Sequence, residues 1–227
     1  MTPNAPATYQ IIRSNRKSFS LEIKPDGQLT VRAPKSASDA QIKAVVAQKA
    51  AWIEKSRARL AEMFPKQRLK AFTPGESFWY LGQQYLLRLT DRQRPPLDLD
   101  GTFNLSRYAQ GQAKAVFITW YREETRQITY QLIESYAKQY ELKVNAVRIT
   151  SARTRWGSCS GKGNLNFTYR LCMAPLPVIE YVVVHELAHL QVRNHSQSFW
   201  AEVAKMYPDY QKARAWLKQH GHFLTLD

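Results

Sequence analysis

Two histidines and a glutamate stand close together in the segment His185-Glu186-Leu187-Ala188-His189. On a helix, residues four positions apart lie one turn apart on the same face, so both imidazoles can reach one metal ion. A catalytic zinc is held by three protein ligands, often imidazoles, and keeps its fourth position for water. Glu186 would accept the proton of this water as the general base. The segment therefore predicts a hydrolase with one catalytic zinc ion per chain.

The third ligand must come from outside this segment. His195 follows His189 by six residues, which leaves room for the helix to end and the chain to turn back. Glu202, on the next predicted helix, is the competing ligand. We favour His195 because imidazole is a common zinc ligand and the intervening turn is short.

Basic residues surround the predicted site in the sequence. Val147–Thr154 and Asn164–Leu171 are predicted to form a β-hairpin whose connecting loop, Trp156–Gly163, contains three glycines. An extended peptide could pair with one of these strands, although an ordinary core hairpin fits the pattern equally well. Basic side chains can bind a carboxylate, a phosphate or a developing oxyanion, with simple solvation as the alternative. The candidate substrate-binding residues are Arg153, Arg155, Lys162 and Arg193.

The elements before this site predict a β-rich N-terminal region with one long helix, over residues 1–110. Alternating polar and apolar residues indicate antiparallel strands. A capping box at Ser38 begins a helix over residues 39–63, and Pro95-Pro96 lies in a loop that marks the domain boundary. The predicted strands are Tyr9–Arg13, Ser18–Ile23, Gln28–Val31, a hairpin over 78–89, and Thr102–Leu105.

Residues 111–227 are predicted to form the catalytic domain, a zincin-like helical core with the β-hairpin. A long amphipathic helix covers about 112–141. Pro177 is placed to open the helix that carries His185, and Ser196 can cap the next one. A last helix over about Asp209–Gln219 ends before Gly221. The whole chain is thus predicted to have an α+β fold.

Composition limits the kind of protein this can be. Of 227 residues, 44% are hydrophobic and 22% charged, which is typical of a soluble globular protein rather than a disordered one. The net charge of +15 would attract nucleic acid or another polyanion, although solvated basic faces explain it equally well. Two cysteines are too few for a disulfide framework, and no apolar run reaches transmembrane length. We expect a cytoplasmic protein without a membrane partner.

Several motifs resemble a known family, the YgjP-type metal-dependent hydrolases, which are relatives of the SprT and WLM zinc metallopeptidases. The resemblance rests on Arg155-Trp156-Gly157-Ser158-Cys159-Ser160, Tyr181–His189, Asn194-His195-Ser196 and Phe199-Trp200. It implies a zincin-like core in which His185, His189 and His195 hold the metal and Glu186 is the base. It leaves the substrate undetermined.

Three functions follow from these observations. The leading hypothesis is a zinc metallopeptidase. The alternative keeps the site but cleaves a nucleotide, as a nucleoside-triphosphate pyrophosphohydrolase, because the basic residues suit phosphate. The third hypothesis is a basic nucleic-acid-binding module with a non-catalytic metal, in which Trp79, Tyr80, Tyr85 and Arg88 would contact the nucleic acid.

Overall fold

The computed structural model describes residues 9–23, 28–63 and 70–226, which form the predicted α+β fold. The chain divides into two compact units, Met1–Arg68 and Leu69–Asp227. The functional division into 1–110 and 111–227 stays a prediction. No helix in the described ranges is both long enough and apolar enough to span a membrane.

The first unit contains a three-stranded sheet and two helices. The central strand, β3, pairs in parallel with β1 and antiparallel with β2. The predicted long helix is instead two helices, because the chain leaves helical geometry at Lys49, whose N–H is shared between the carbonyls of Val45 and Val46. The elements are β1 (Tyr9–Ser14), β2 (Ser20–Ile23), β3 (Leu29–Pro34), α1 (Asp39–Gln48) and α2 (Ala50–Met63).

The second unit begins with a four-stranded sheet of order β4-β5-β7-β6, packed on a long helix. Aromatic rings fill this contact, and the buried Tyr121 hydroxyl donates to the carbonyl of Trp79 at 2.6 Å. Trp79, Tyr80 and Tyr85 pack against the same core. The elements are β4 (Ser77–Tyr80), β5 (Gln83–Thr90), β6 (Leu97–Asp100), β7 (Thr102–Ser106) and α3 (Ala113–Gln139).

A third sheet lies beside the candidate site, and its pairing differs from the prediction. Its strands are β8 (Ala146–Thr150), β9 (Gly157–Cys159) and β10 (Asn164–Thr168), in the order β8-β10-β9. The two strands predicted as a hairpin, β8 and β10, are parallel neighbours. The segment between them is long enough to hold β9, which takes the antiparallel position next to β10. Consequently β9 is an edge strand.

Three helices complete the unit: α4 (Leu176–Ala188), α5 (Gln197–Met206) and α6 (Tyr210–His220). Pro177 lies in the first turn of α4, as predicted, and the apolar side chains of this helix are buried. It contacts α3, α5, α6 and β9. Because α4 lies among these elements, the polar residues near its end are held by a rigid core.

Candidate metal centre

Three imidazoles meet where α4 ends and the chain turns towards α5. His185 lies on α4, His189 caps its end, and His195 belongs to the following turn. The Nε2 atoms of His185 and His195 are 3.1 Å apart, and one nitrogen from each of the three rings lies within 4.8 Å of the others. Among the described residues, no other group of three or more His, Cys, Asp or Glu is arranged to hold a metal ion.

The surroundings orient these rings. The carbonyl of Val192 lies 3.0 Å from Nδ1 of His189; when this nitrogen donates to it, Nε2 is left as an acceptor, as a metal ligand requires. The buried ring of Phe199 stacks on His189 at 4.4 Å and meets His185 and His195 edge-on at 4.9 and 4.8 Å. Helix α5 thus supplies a rigid apolar support under all three imidazoles.

The donor set fits zinc. Two nitrogens bound to a tetrahedral zinc at 2.0–2.1 Å are roughly 3.3 Å apart, close to the observed His185–His195 separation. The pKa of His185 is lowered to about 3, first by burial and then by the neighbouring imidazoles and Arg214. Burial also lowers the pKa of His189. Both rings are therefore neutral near pH 7, the state in which imidazole binds a metal.

Glu186 is buried beside the three histidines, with 5% of its surface exposed. Burial, partly offset by the positive charge of Arg155, raises the pKa of its carboxyl to about 8. A Cβ atom built on Gly157 would lie 2.6 Å from Oε1 of Glu186, so β9 and the carboxylate approach each other as closely as a glycine permits. This carboxylate has the environment of a general base whose proton affinity is raised by its surroundings.

These groups line a cavity of about 320 Å³, the metal cavity, which opens beside β9. Its walls contain the three histidines, Glu186, the residues of β9, and the following Ser160 and Gly161. Arg193 lies across it, with its Nη2 donating to the carbonyl of Gly161 at 3.1 Å. The volume suits a small ligand or one segment of a larger one.

The four predicted substrate-binding residues occupy different places. Arg193 lines the metal cavity, and Lys162 lines an adjoining cavity. Arg155 is exposed, and its charge acts on the Glu186 carboxyl. Arg153 lines neither cavity, although its carbonyl accepts a hydrogen bond from Arg170 at 2.8 Å.

Glu202, the competing third ligand, lies outside the histidine cluster and is 3.9 Å from the ammonium of Lys205. Cys159 is half-buried on the wall of the metal cavity. Burial raises the pKa of its thiol; the charge of Glu186 adds to the effect and that of Arg193 opposes it.

Two groups near the site were not predicted. Gly157 stands in a predicted loop and in a motif of the family resemblance, but neither indicated its contact with Glu186, which connects positions 29 residues apart in sequence. Arg214, on α6, has its guanidinium 4.5 Å from the ring centroid of Trp200, which lies 5.8 Å from His185 and 5.9 Å from His195. No spacing in the sequence indicates that α6 brings a cation to the histidines.

Comparison with known proteins gives three similarities. The model of the YgjP-like metallopeptidase domain matches residues 17–220. The chain is 30% identical over 90 residues to the UTP pyrophosphatase of Escherichia coli (strain K12), covering 37% of this chain and 54% of that protein. This chain thus spans about half the length of that relative. It is also similar to the crystal structure of the metallopeptidase zymogen of Pyrococcus abyssi abylysin, with 26% identity, a TM-score of 0.36, and coverage of 40% of this chain and 93% of that one.

Proposed function

The chain belongs to the YgjP-like metallopeptidase domain family, and on this basis we propose that it is a zinc-dependent hydrolase with Glu186 as its general base. The observation that carries the proposal is the convergence of three imidazoles and a buried carboxylate on one cavity. His185, His189 and His195 would hold one zinc ion. A nucleic-acid-binding module with an idle metal has less support, since its aromatic residues Trp79, Tyr80 and Tyr85 pack against the core.

A zinc ion bound there would supply a Lewis acid that polarises the bond to be cleaved and lowers the pKa of a water molecule. Glu186 lines the same cavity as the three histidines and would receive the proton of the attacking water. Because residue 157 is a glycine, strand β9 lies directly against the Glu186 carboxylate and limits the positions that this side chain can take. The buried ring of Phe199 packs against the imidazoles and excludes water from the side of the rings that it covers.

Two observations support a nucleoside triphosphate as the substrate. Arg193 presents a guanidinium on the wall of the metal cavity, and guanidinium groups bind phosphate through paired, charge-assisted hydrogen bonds. A relative that is 30% identical over the aligned 90 residues is a UTP pyrophosphatase. We therefore place hydrolysis of a nucleotide phosphoanhydride first.

A second candidate, peptide hydrolysis, is supported by a different feature. Strand β9 is at the edge of its sheet and lines the metal cavity, so its free side can pair with an extended peptide. From the sequence, such pairing was one of two equal alternatives and would have involved β8 or β10 instead of β9. The family model that matches the chain is also that of a metallopeptidase domain.

The variant Glu186→Gln tests the shared chemistry. It should retain one zinc per chain and lose about 10²–10⁴-fold in kcat, the contribution of a general base. Glu202→Gln is the matched control, because Glu202 is paired with Lys205 outside the histidine cluster and should leave kcat unchanged. Full activity of Glu186→Gln would refute the role of the base.

A substrate panel separates the two candidates. The zinc-loaded protein is assayed with UTP and other nucleoside triphosphates for release of pyrophosphate or phosphate, and with a peptide library for new termini. Release from nucleotides supports the first candidate, and cleavage of peptides alone supports the second. Inactivity towards both classes would contradict the proposed function.

A further inference from the structure

A second cavity, of about 410 Å³, adjoins the metal cavity. The two are lined in common by Ser160, Gly161, His189 and Arg193, so they lie side by side. The second cavity continues towards the turn after α3, where Glu141, Leu142 and Lys143 form its far wall. It thus begins at the candidate site and leads away from it.

Hydrogen bonds hold the walls of this cavity in place. The loop after β9 closes in a tight turn, in which the Gly163 N–H donates to the Ser160 carbonyl at 2.9 Å. Asn145 N–H donates to the Gly163 carbonyl at 3.0 Å and joins this loop to the turn after α3. On the other side Arg193 bonds to Gly161, where a Cβ would lie 3.0 Å from the guanidinium Nη1. The cavity is therefore formed before any ligand binds.

The lining is cationic, and the ring that it contains is the imidazole of His189, which also lines the metal cavity. Lys143, Lys162 and Arg193 bring three positive charges, against one carboxylate from Glu141. Within the described part of the chain, no Phe, Tyr or Trp lines this cavity. A nucleobase would find no Phe, Tyr or Trp ring to stack on here, whereas a multiply charged anion would gain charge-assisted hydrogen bonds.

We propose that this second cavity binds the pyrophosphate end of a nucleoside triphosphate whose α-phosphorus lies in the metal cavity. The inference rests on the proposed nucleotide hydrolysis. Water adds its oxygen to the α-phosphorus and gives a proton to Glu186. The bond from this phosphorus to the bridging oxygen breaks, and its electron pair remains on the departing pyrophosphate. Lys143, Lys162 and Arg193 stabilise the charge that develops on this leaving group.

The test compares Lys143→Ala/Lys162→Ala with a control, Lys138→Ala/Lys218→Ala. All four lysines are exposed, and the control pair lies on α3 and α6, outside both cavities. Binding of inorganic pyrophosphate to each zinc-loaded protein is measured by calorimetry, with metal content and thermal unfolding checked before and after. The cavity variant should bind pyrophosphate at least about tenfold more weakly than the control, a difference of about 1.4 kcal/mol. Its kcat/KM for UTP should fall by at least a similar factor.

Equal pyrophosphate affinity in the two double variants, with both folded and loaded, would overturn the proposed subsite. If the wild type does not hydrolyse UTP but pyrophosphate binding still depends on Lys143 and Lys162, the subsite stands and the proposed nucleotide hydrolysis fails. Loss of affinity for an acidic peptide, with unchanged affinity for pyrophosphate, would assign the cavity to a peptide side chain and refute the inference. Release of phosphate instead of pyrophosphate from UTP would also refute it.

Discussion

Gly157→Ala adds one methyl group between strand β9 and the side chain of Glu186. The three heavy atoms nearest to this methyl group would all belong to Glu186: Oε1 at 2.6 Å, Cγ at 2.7 Å and Cδ at 2.9 Å. Carbon atoms pack at roughly 3.5–4.0 Å, so the carboxylate or the strand must move by about 1 Å. Gly157 does not have a positive φ, so alanine introduces no backbone strain. The substitution therefore changes one contact.

The expected magnitudes follow from that displacement. Misplacing a reacting group by about 1 Å lowers a rate by roughly 100-fold, so kcat should fall by about this factor. Overpacking of this kind costs about 1–3 kcal/mol in the free energy of unfolding. For a protein of this size each kcal/mol lowers Tm by about 2–4 °C. Zinc content should stay at one per chain, because the atoms displaced belong to Glu186 and not to the three imidazoles.

The assay measures kcat, zinc content and Tm on the substrate that the wild type hydrolyses. Gly111→Ala is the matched control, since a Cβ at that position meets no heavy atom within 4 Å and should change none of the three. Glu186→Asp shortens the side chain by one methylene. The double variant Gly157→Ala/Glu186→Asp should therefore lose less stability than the two single effects added together. Full kcat in Gly157→Ala, or strict additivity in the double variant, would refute the contact as the positioning device.

Three further outcomes are expected. Dialysis against a chelator should abolish hydrolysis, and added zinc should restore it. In denaturant unfolding, zinc at 1,000 times its Kd should raise the free energy of unfolding by about 4 kcal/mol. His195→Ala should weaken zinc binding by more than about 10–100-fold, the loss typical when a residue that only contacts a metal ligand is removed. Glu202→Ala should retain the metal. The reverse result would make Glu202 the third ligand. In the folded protein a thiol reagent should label Cys159 and leave Cys172 unmodified until the chain unfolds. The reason is that Cys172 is fully buried, and burial raises the pKa of its thiol to about 12. Mass spectrometry of the labelled peptides measures the difference.

Elements with strong local signals were predictable from the sequence. Helix α3 was expected at 112–141 and lies at Ala113–Gln139, and α4 begins with Pro177 in its first turn. The capping box at Ser38 is present, with its hydroxyl accepting from the Gln41 N–H. These features depend on residues within one or two turns of each other, and a sequence pattern therefore contains all the information needed.

Pairing between distant strands was not predictable in the same way. Each of the three sheets contains one parallel pair, β1–β3, β5–β7 and β8–β10, where antiparallel neighbours were expected. A hydrophobic pattern indicates which face of a strand is buried, but not which strand lies next to it. The break at Lys49 likewise has no glycine or proline to mark it.

The same distinction applies to the candidate site. The approach of His185, His189 and His195 could be expected, because their spacing follows one helix and the turn after it. The contact of Gly157 with Glu186 and the approach of Arg214 through Trp200 depend on how β9 and α6 pack on α4. Such contacts arise only from tertiary structure.

Strand β9 and Arg193 also bear on the kind of substrate that fits the metal cavity. An extended peptide needs a strand edge to pair with, and β9 has three residues, which extend over roughly 10 Å. Two residues beyond it, the Gly161 carbonyl already accepts a hydrogen bond from Arg193 at 3.1 Å. A longer peptide would have to displace this guanidinium, whereas a phosphate chain would bind it and turn into the adjoining cationic cavity. The arrangement that limits pairing along β9 therefore favours a compact anion.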